Sequence, residues 1–190
     1  MRPSEQVRPD PGLALLELYD EALPQVYGYL LARCGRRALA EDLTSEVFLA
    51  ALQACRGQPP PTPTTGWLVG IARHKLVDHW RAVGREDRGL RAVAGEEGDV
   101  TDPWEAELDV LLAREVLARQ SSMHRAALTL RYLDGLPVPE VARLLGRTVH
   151  ATEALLVRAR GAFRRDYHRD NRDNRDDHRD NRDELEGGRA

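Results

Sequence analysis

Asp42 and Glu46 stand one helical turn apart, and two carboxylates at that spacing can divide acid and base duties or take hold of a metal ion. Neither role has the histidine or positioned third carboxylate that would complete it. Cys34 and Cys55 fit no metal-ligand spacing and read as reduced, partly buried thiols, while His168 and His178 have no local partner. The sequence offers no nucleophile beside a base, no glycine-rich phosphate loop and no metal cluster, so an enzyme is the function class least supported. With Ser45, Leu49 and Gln53 on the same side, the carboxylate pair reads either as solvated surface or as a docking face for a basic partner.

The remaining chemistry is the binding of phosphates and bases. A helix predicted over 67–81 turns out Arg73, His74, Lys75, Asp78 and Arg81, a mostly basic surface next to Trp67 and Trp80. Cations interleaved with aromatic rings suit phosphates and unstacked bases. Trp80 fits equally well in a core at this spacing, with Leu68, Val69, Ala72 and Leu76. A second set lies in Asp134-Gly135-Leu136-Pro137-Val138-Pro139-Glu140-Val141-Ala142-Arg143-Leu144-Leu145-Gly146-Arg147-Thr148-Val149-His150. Here Val138, Val141, Ala142 and Leu145 recur at helical spacing, Gly146 permits a left-handed stop, and Thr148 can cap the helix that follows. That helix is expected to bury Val149, Thr152, Leu156, Ala159 and Phe163 and to turn His150, Glu153, Ala154, Val157 and Arg158 outward. Such a helix-turn-helix normally lays its second helix in the DNA major groove, although a trihelical module that touches only protein has the same grammar. Charge favours DNA: 123–167 holds eight arginines against four acids, in a chain whose net charge is −3.

The elements that must position these residues are helical. At 190 residues the chain can form one large or two small domains, and its 5% aromatic content implies aliphatic, mostly helical cores. We expect an all-α protein of two small helical domains joined by a flexible linker. Residues 1–12 read as a disordered lead-in. From Leu13 an apolar stripe runs through Leu16, Tyr19, Leu23, Val26, Tyr27, Leu30 and Leu31, with Pro24 expected to kink or break it. A second helix over 38–54 should bury Leu39, Leu43, Val47, Phe48, Ala51 and Leu52. The proline-rich stretch Arg56 to Gly66 is a stiff loop, from which Thr65 or Gly66 leads into the third helix and completes a first domain over 13–82.

Residues 83–101 read as a flexible acidic linker, since 83–122 carries ten acids against five arginines. The second domain, 102–167, should open with Asp102 capping a helix that begins at Pro103 and continues through Leu108, Leu111, Leu112, Glu115 and Leu117. Ser122 should cap the next helix, which ends near Leu133-Asp134-Gly135. The Arg/Asp/Asn repeats of 168–190, with eight acids to six arginines, read as a disordered tail and not as a basic nucleic-acid arm. No apolar run approaches the roughly 20 residues of a membrane span, and 1–11 lacks a signal-peptide core, so a cytoplasmic protein with no membrane insertion is expected.

Two blocks in this order resemble the extracytoplasmic-function (ECF) sigma factors of bacterial RNA polymerase, within the sigma-70 family. The first is Ala40-Glu41-Asp42-Leu43-Thr44-Ser45-Glu46-Val47-Phe48 with Trp67-Leu68-Val69-Gly70-Ile71-Ala72-Arg73-His74-Lys75-Leu76-Val77-Asp78-His79-Trp80-Arg81. The second is Leu128-Thr129-Leu130-Arg131-Tyr132-Leu133-Asp134-Gly135-Leu136, then Glu140 to Gly146 and Arg158-Ala159-Arg160. The resemblance implies a non-enzymatic promoter-specificity subunit without cofactor or metal. Its implied partners are core polymerase, through the beta-prime clamp helices and the beta flap, then promoter DNA and an anti-sigma factor. Asp42, Ser45, Glu46, Leu49 and Gln53 would dock on the clamp helices. The melted minus-ten strand would meet Arg56, Thr64, Thr65, Trp67, Arg73, His74, Lys75 and Arg81. The minus-thirty-five duplex would meet Arg131, Arg147, Thr148, His150, Ala151, Glu153, Ala154, Val157 and Arg158.

One departure changes the expected surface. Where similar proteins place Lys and Arg early in the recognition helix, this chain presents Glu153 and Leu155. Glu153 could accept from a cytosine amino group, while an exposed Leu155 beside Val157 would suit a protein partner. Two other functions stand beside the first: a DNA-binding regulator that never joins polymerase, whose turn grammar is similar, and a degenerate sigma-like protein that sequesters a partner, which the weakened recognition helix suggests.

Overall fold

Asp10 starts the first helix by accepting the Gly12 amide at 2.8 Å, and Pro11 fills the first turn, where its missing N–H costs nothing. The computed structural model describes the backbone of residues 10–90 and 110–187, and the side chains of 10–85 and 110–172. Seven α-helices form in this set, α1 Pro11–Cys34, α2 Arg37–Cys55, α3 Thr65–Leu90, α4 Val110–Arg119, α5 Ser122–Leu128, α6 Val138–Leu145 and α7 Val149–Gly187. A wider π-helical turn, Thr129–Leu133, follows α5. The expected all-α architecture is what forms, in two compact units, Met1–His79 and Trp80–Ala190. The start of the helix expected from Pro103, capped by Asp102, and the lead-in over 1–9 lie outside the described residues, while the rest of that helix is α4.

In the first unit α1 and α2 pack together as a hairpin, closed by Gly35 in the left-handed region (φ 66°) with its amide on the Leu31 carbonyl at 3.0 Å. The buried side of α1 is Leu15, Ala22, Val26, Leu30 and Cys34, offsets of seven, four, four and four that keep one face. The predicted stripe was therefore shifted: Leu16 is 70% exposed, and Tyr19, itself exposed, reaches α2 only by setting its ring 4.9 Å from that of Phe48. Pro24 does not break α1, because it sits on the exposed side, where losing one amide bond is tolerated. On α2, Leu43, Val47, Phe48 and Ala51 are buried as expected, but Leu52 is exposed and Ala40 and Thr44 take up the packing. Thr44 can do so because its hydroxyl donates to the Ala40 carbonyl at 2.6 Å and enters the core satisfied.

Thr64 rather than Thr65 or Gly66 caps α3, accepting the Trp67 amide at 3.1 Å. Leu68, Ala72, Leu76 and Trp80 are buried, with Val69 half-buried and Val77 inside instead. Each of Leu30, Leu68 and Leu76, almost wholly enclosed, contributes on the order of 1.5–3 kcal/mol of burial. Beyond Arg81 the helix continues to Leu90, so 83–90, expected in the flexible linker, are helical.

In the second unit α7 is the common wall, packed by α4, α5 and α6. Val116, Leu128, Ala159, Phe163 and Tyr167 form its core cluster, with Leu112, Ala113 and Leu117 against it. Ser121, not Ser122, caps α5 by accepting the His124 amide at 3.4 Å, which leaves Ser122 buried in the first turn. The expected disordered tail is corrected most. α7 runs unbroken to Gly187, and its middle is fastened by Gln120, the residue after α4, donating to Asp166 at 2.8 Å and by an ion pair from Arg119 of α4 to Asp170. The tail lacks apolar residues up to Leu185, but helix continuation needs only a seeded end and compatible side chains, and Phe163 and Tyr167, stacked at 6.1 Å, provide that end.

Candidate functional site

The two candidate surfaces lie one on each unit. On the first, burial of Leu43, Val47, Phe48 and Ala51 leaves the opposite side of α2 to solvent, and Asp42, Ser45, Glu46, Leu49 and Gln53 are all exposed there. Leu49 is 60% exposed, a large apolar side chain set among carboxylates. Ser45 donates to the Glu41 carbonyl at 3.1 Å. Beside this face Leu23, Pro24, Tyr27, Glu41, Thr44 and Ser45 line an open hollow of about 420 Å³, which the sequence reading missed. No local pattern in the sequence marks it, since its lining comes from two helices.

Glu46 is not isolated. Its carboxylate accepts Lys75 Nζ at 3.0 Å, so α2 and α3 share an ion pair across the two sets of candidate residues. Both side chains are partly exposed (52% and 35%), which keeps the pair weak, about 0–1 kcal/mol. On α3 His74 is exposed, and Trp67, Arg73, Lys75 and Arg81 are half-buried; Arg81 belongs to the second unit. Arg56 and Thr64 are exposed and Thr65 is half-buried. Trp80, only 2% exposed, is a core residue and cannot stack on a base.

In the second unit α6 ends at Gly146 in the left-handed region (φ 63°), a conformation that costs other residues roughly 1–2 kcal/mol. Arg147 N–H then closes on the Ala142 carbonyl at 2.9 Å, and Thr148 caps α7 by accepting the Ala151 amide at 3.2 Å, as its position suggested. Thr152, Leu156, Ala159 and Phe163 are buried, which leaves Thr148, His150, Glu153 and Arg158 exposed and Arg147, Ala151, Ala154 and Val157 half-buried along one side. Two expectations change here. Val149, placed in the core by spacing alone, is 43% exposed because it stands in the first turn, before α7 meets its neighbours. Leu155 is 4% exposed, so it is core and cannot present an apolar contact to a protein partner. Arg131 donates to the Leu136 carbonyl at 3.0 Å, which spends part of its guanidinium on holding the turn ahead of α6.

His124 is a residue the sequence reading passed over. It is half-buried on α5, and burial first, then the nearby Arg158 and Arg165 guanidinium groups, pull its pKa below the usual 6.5. The folded unit therefore resists a proton that the unfolded chain accepts as pH falls through 6.5. Stability is complete above that value and declines below it. We expect thermal denaturation midpoints of the second unit to fall between pH 7 and pH 5, and His124→Gln to flatten that slope; an unchanged slope would remove His124 as its source.

Among the described residues no group of His, Cys, Asp or Glu is placed to hold a metal, Cys34 and Cys55 are free and buried, and no helix is long and apolar enough to cross a membrane. What the surfaces hold in common is the capacity to bind: acids around an apolar residue in one unit, a capped helix with exposed polar groups in the other. Comparison with known proteins finds two family models in the chain. Residues 18–86 match the model of Sigma-70 region 2, and residues 124–163 match Sigma-70, region 4. The chain is 34% identical over 150 residues to the ECF RNA polymerase sigma factor BldN of Streptomyces coelicolor, a stretch covering 75% of this chain and 56% of that relative. It is 32% identical over 137 residues to the ECF RNA polymerase sigma factor SigL of Mycobacterium tuberculosis, covering 68% of this chain and 75% of the relative.

The chain belongs to the ECF sigma factors of the sigma-70 family. It is also 30% identical over 160 residues to SigC of Mycobacterium tuberculosis, which covers 82% of this chain and 85% of SigC. The exposed face of α2 and the basic side of α3 fall within region 2 of this sigma factor, and α6, its turn and the start of α7 fall within region 4.

Proposed function

We propose that this sigma factor attaches to core RNA polymerase through Asp42, Ser45, Glu46, Leu49 and Gln53 and directs it to promoters that its two units read separately. The observation that carries the reading is that one chain holds both an outward acidic face on α2 and a capped helix-turn-helix, in the order of regions 2 and 4. The first unit would hold the melted minus-ten strand. The loop Arg56 to Gly66 offers backbone and hydroxyl groups to an unpaired base, and Arg73, His74 and Lys75 offer cations to its phosphates. Favouring a flipped base offsets the few kcal/mol that unstacking costs, which is how a protein with no bond-making residues can open a duplex. Such a factor acts as a non-enzymatic initiation subunit.

The second unit would read the minus-thirty-five duplex with Arg147, Thr148, His150, Glu153 and Arg158. Glu153 at the front of this surface repels phosphate and accepts from a cytosine amino group, so it lowers affinity in general while shifting sequence choice. Two observations weigh against the other readings. The described part of the first unit contains helices and loops but no strand, unlike the α/β receiver of a polymerase-independent regulator. The sequestering reading leaned on a recognition helix weakened by Glu153 and Leu155, and burial of Leu155 removes only the apolar protein contact expected of it.

Run-off transcription with purified core polymerase on genomic promoter fragments tests the proposal. Discrete transcripts that require this sigma factor are expected, and none from any template would end it. Arg158→Ala should weaken duplex binding and lower the slope of log affinity against log salt by about 1. Wild-type behaviour in both would take Arg158 out of the interface.

A further inference from the structure

Between Arg158 and Arg172 acids and arginines alternate along the chain, but on the surface of α7 they separate by face. Arg158, Arg165, Arg169 and Arg172 are all exposed, at offsets of 0, 7, 11 and 14, which at 100° per residue holds them within a sector of about 60°. Ala154 and Arg158, on the side of α7 that the proposed reading turns toward the promoter, lie in the same sector. The acids of this stretch are directed elsewhere. Asp166 accepts Gln120, just after α4, at 2.8 Å and Asp170 pairs with Arg119 at the end of α4, and the two aspartate side chains are 34% and 15% exposed. Arg169 also touches Asp166 at 3.1 Å and Asp170 at 3.6 Å, but at 60% exposure these contacts are weak enough to yield to a stronger anion.

We propose that Arg165, Arg169 and Arg172 form a phosphate-binding stripe that carries the promoter duplex past the bases read by α7. The inference rests on the reading of α7 as the helix that enters the major groove. At 1.5 Å per residue these side chains stand about 10, 16 and 21 Å beyond Arg158, while the major groove is only about 12 Å wide. A helix seated in that groove must cross the bordering sugar-phosphate strand within the span that the arginines occupy. Phosphate contacts of this kind fix orientation and add affinity without adding sequence preference.

The test is a salt titration of full-length protein on minus-thirty-five duplex, comparing wild type, Arg158→Ala, and the triple variant Arg165→Gln, Arg169→Gln, Arg172→Gln. Glutamine keeps helix propensity while removing charge, and circular dichroism checks that helix content is retained. The triple variant should lower the salt slope by about 2 to 3, at roughly 0.9 per phosphate lost, with relative affinities among promoter sequences unchanged. Replacing the same three positions by lysine should restore most of the slope. If Arg158→Ala alters binding and the triple variant keeps the wild-type slope, the stripe is refuted while the helix-turn-helix reading stands. If neither moves the slope, both fail. A triple variant that loses co-elution with polymerase at an unchanged slope would assign the arginines to a protein surface and overturn the proposal.

Discussion

Asp42→Arg should remove this sigma factor from the fractions that contain core RNA polymerase in size-exclusion chromatography, while its thermal denaturation stays that of the wild type. The residue is exposed on α2, so the substitution buries nothing and disturbs no core contact. The change acts only on what approaches from outside. A basic partner would meet a guanidinium in place of a carboxylate, and like charges brought together across an interface cost several kcal/mol, at least a hundredfold in affinity. Neighbouring Glu41 and Glu46 limit the damage at low ionic strength, so the loss should be sharpest near 0.15 M salt, where the screening length is about 8 Å. Full co-elution of Asp42→Arg under those conditions would place the docking surface on another face.

The second large effect concerns stability. Leu130 is 1% exposed within the π-helical turn, and its carbonyl accepts the Leu136 amide at 3.0 Å, so one residue fills the core and anchors the approach to α6. Leu130→Ala should cost about 2–5 kcal/mol through lost burial and the cavity left behind. For a unit of this size that is a fall of roughly 10–20 °C or more in its melting midpoint. The first unit, with its own core, should melt as before. Promoter-duplex binding should fail with the second unit, whereas co-elution with polymerase through α2 should persist at temperatures that leave the first unit folded. A shift under 3 °C would show that the turn repacks around the vacancy.

Much of this molecule was legible from residue order. The pairing of Gly146 with Thr148 announced both the stop of α6 and the start of α7, because a left-handed glycine and a capping hydroxyl act through their own backbone and need no distant partner. The exposed face of α2 followed from the same local logic. What sequence could not supply were facts that depend on neighbours. Leu15 rather than Leu16 faces inward because α2 selects the sector of α1 that is covered. Leu155 is enclosed for a like reason, since α7 is walled by several helices at once and its buried arc is broader than a two-helix contact would make it. The tail was misjudged on composition: the absence of apolar residues speaks against nucleating a helix, not against extending one whose first turns are already packed. His124 was overlooked because its setting, burial first and then Arg158 and Arg165 more than thirty positions away, is made by the fold.

The ion pair between Glu46 and Lys75 has a consequence for the order of assembly. A carboxylate that accepts a cation from an incoming protein loosens its hold on the ammonium it already has, and that ammonium becomes available to an anion on α3. Occupation of α2 and capture of a nucleic-acid strand would thus favour one another, through competition for a single carboxylate and without movement of either helix. The exchange is worth at most about 1 kcal/mol, or about fivefold in affinity, and by linkage it is the same in both directions.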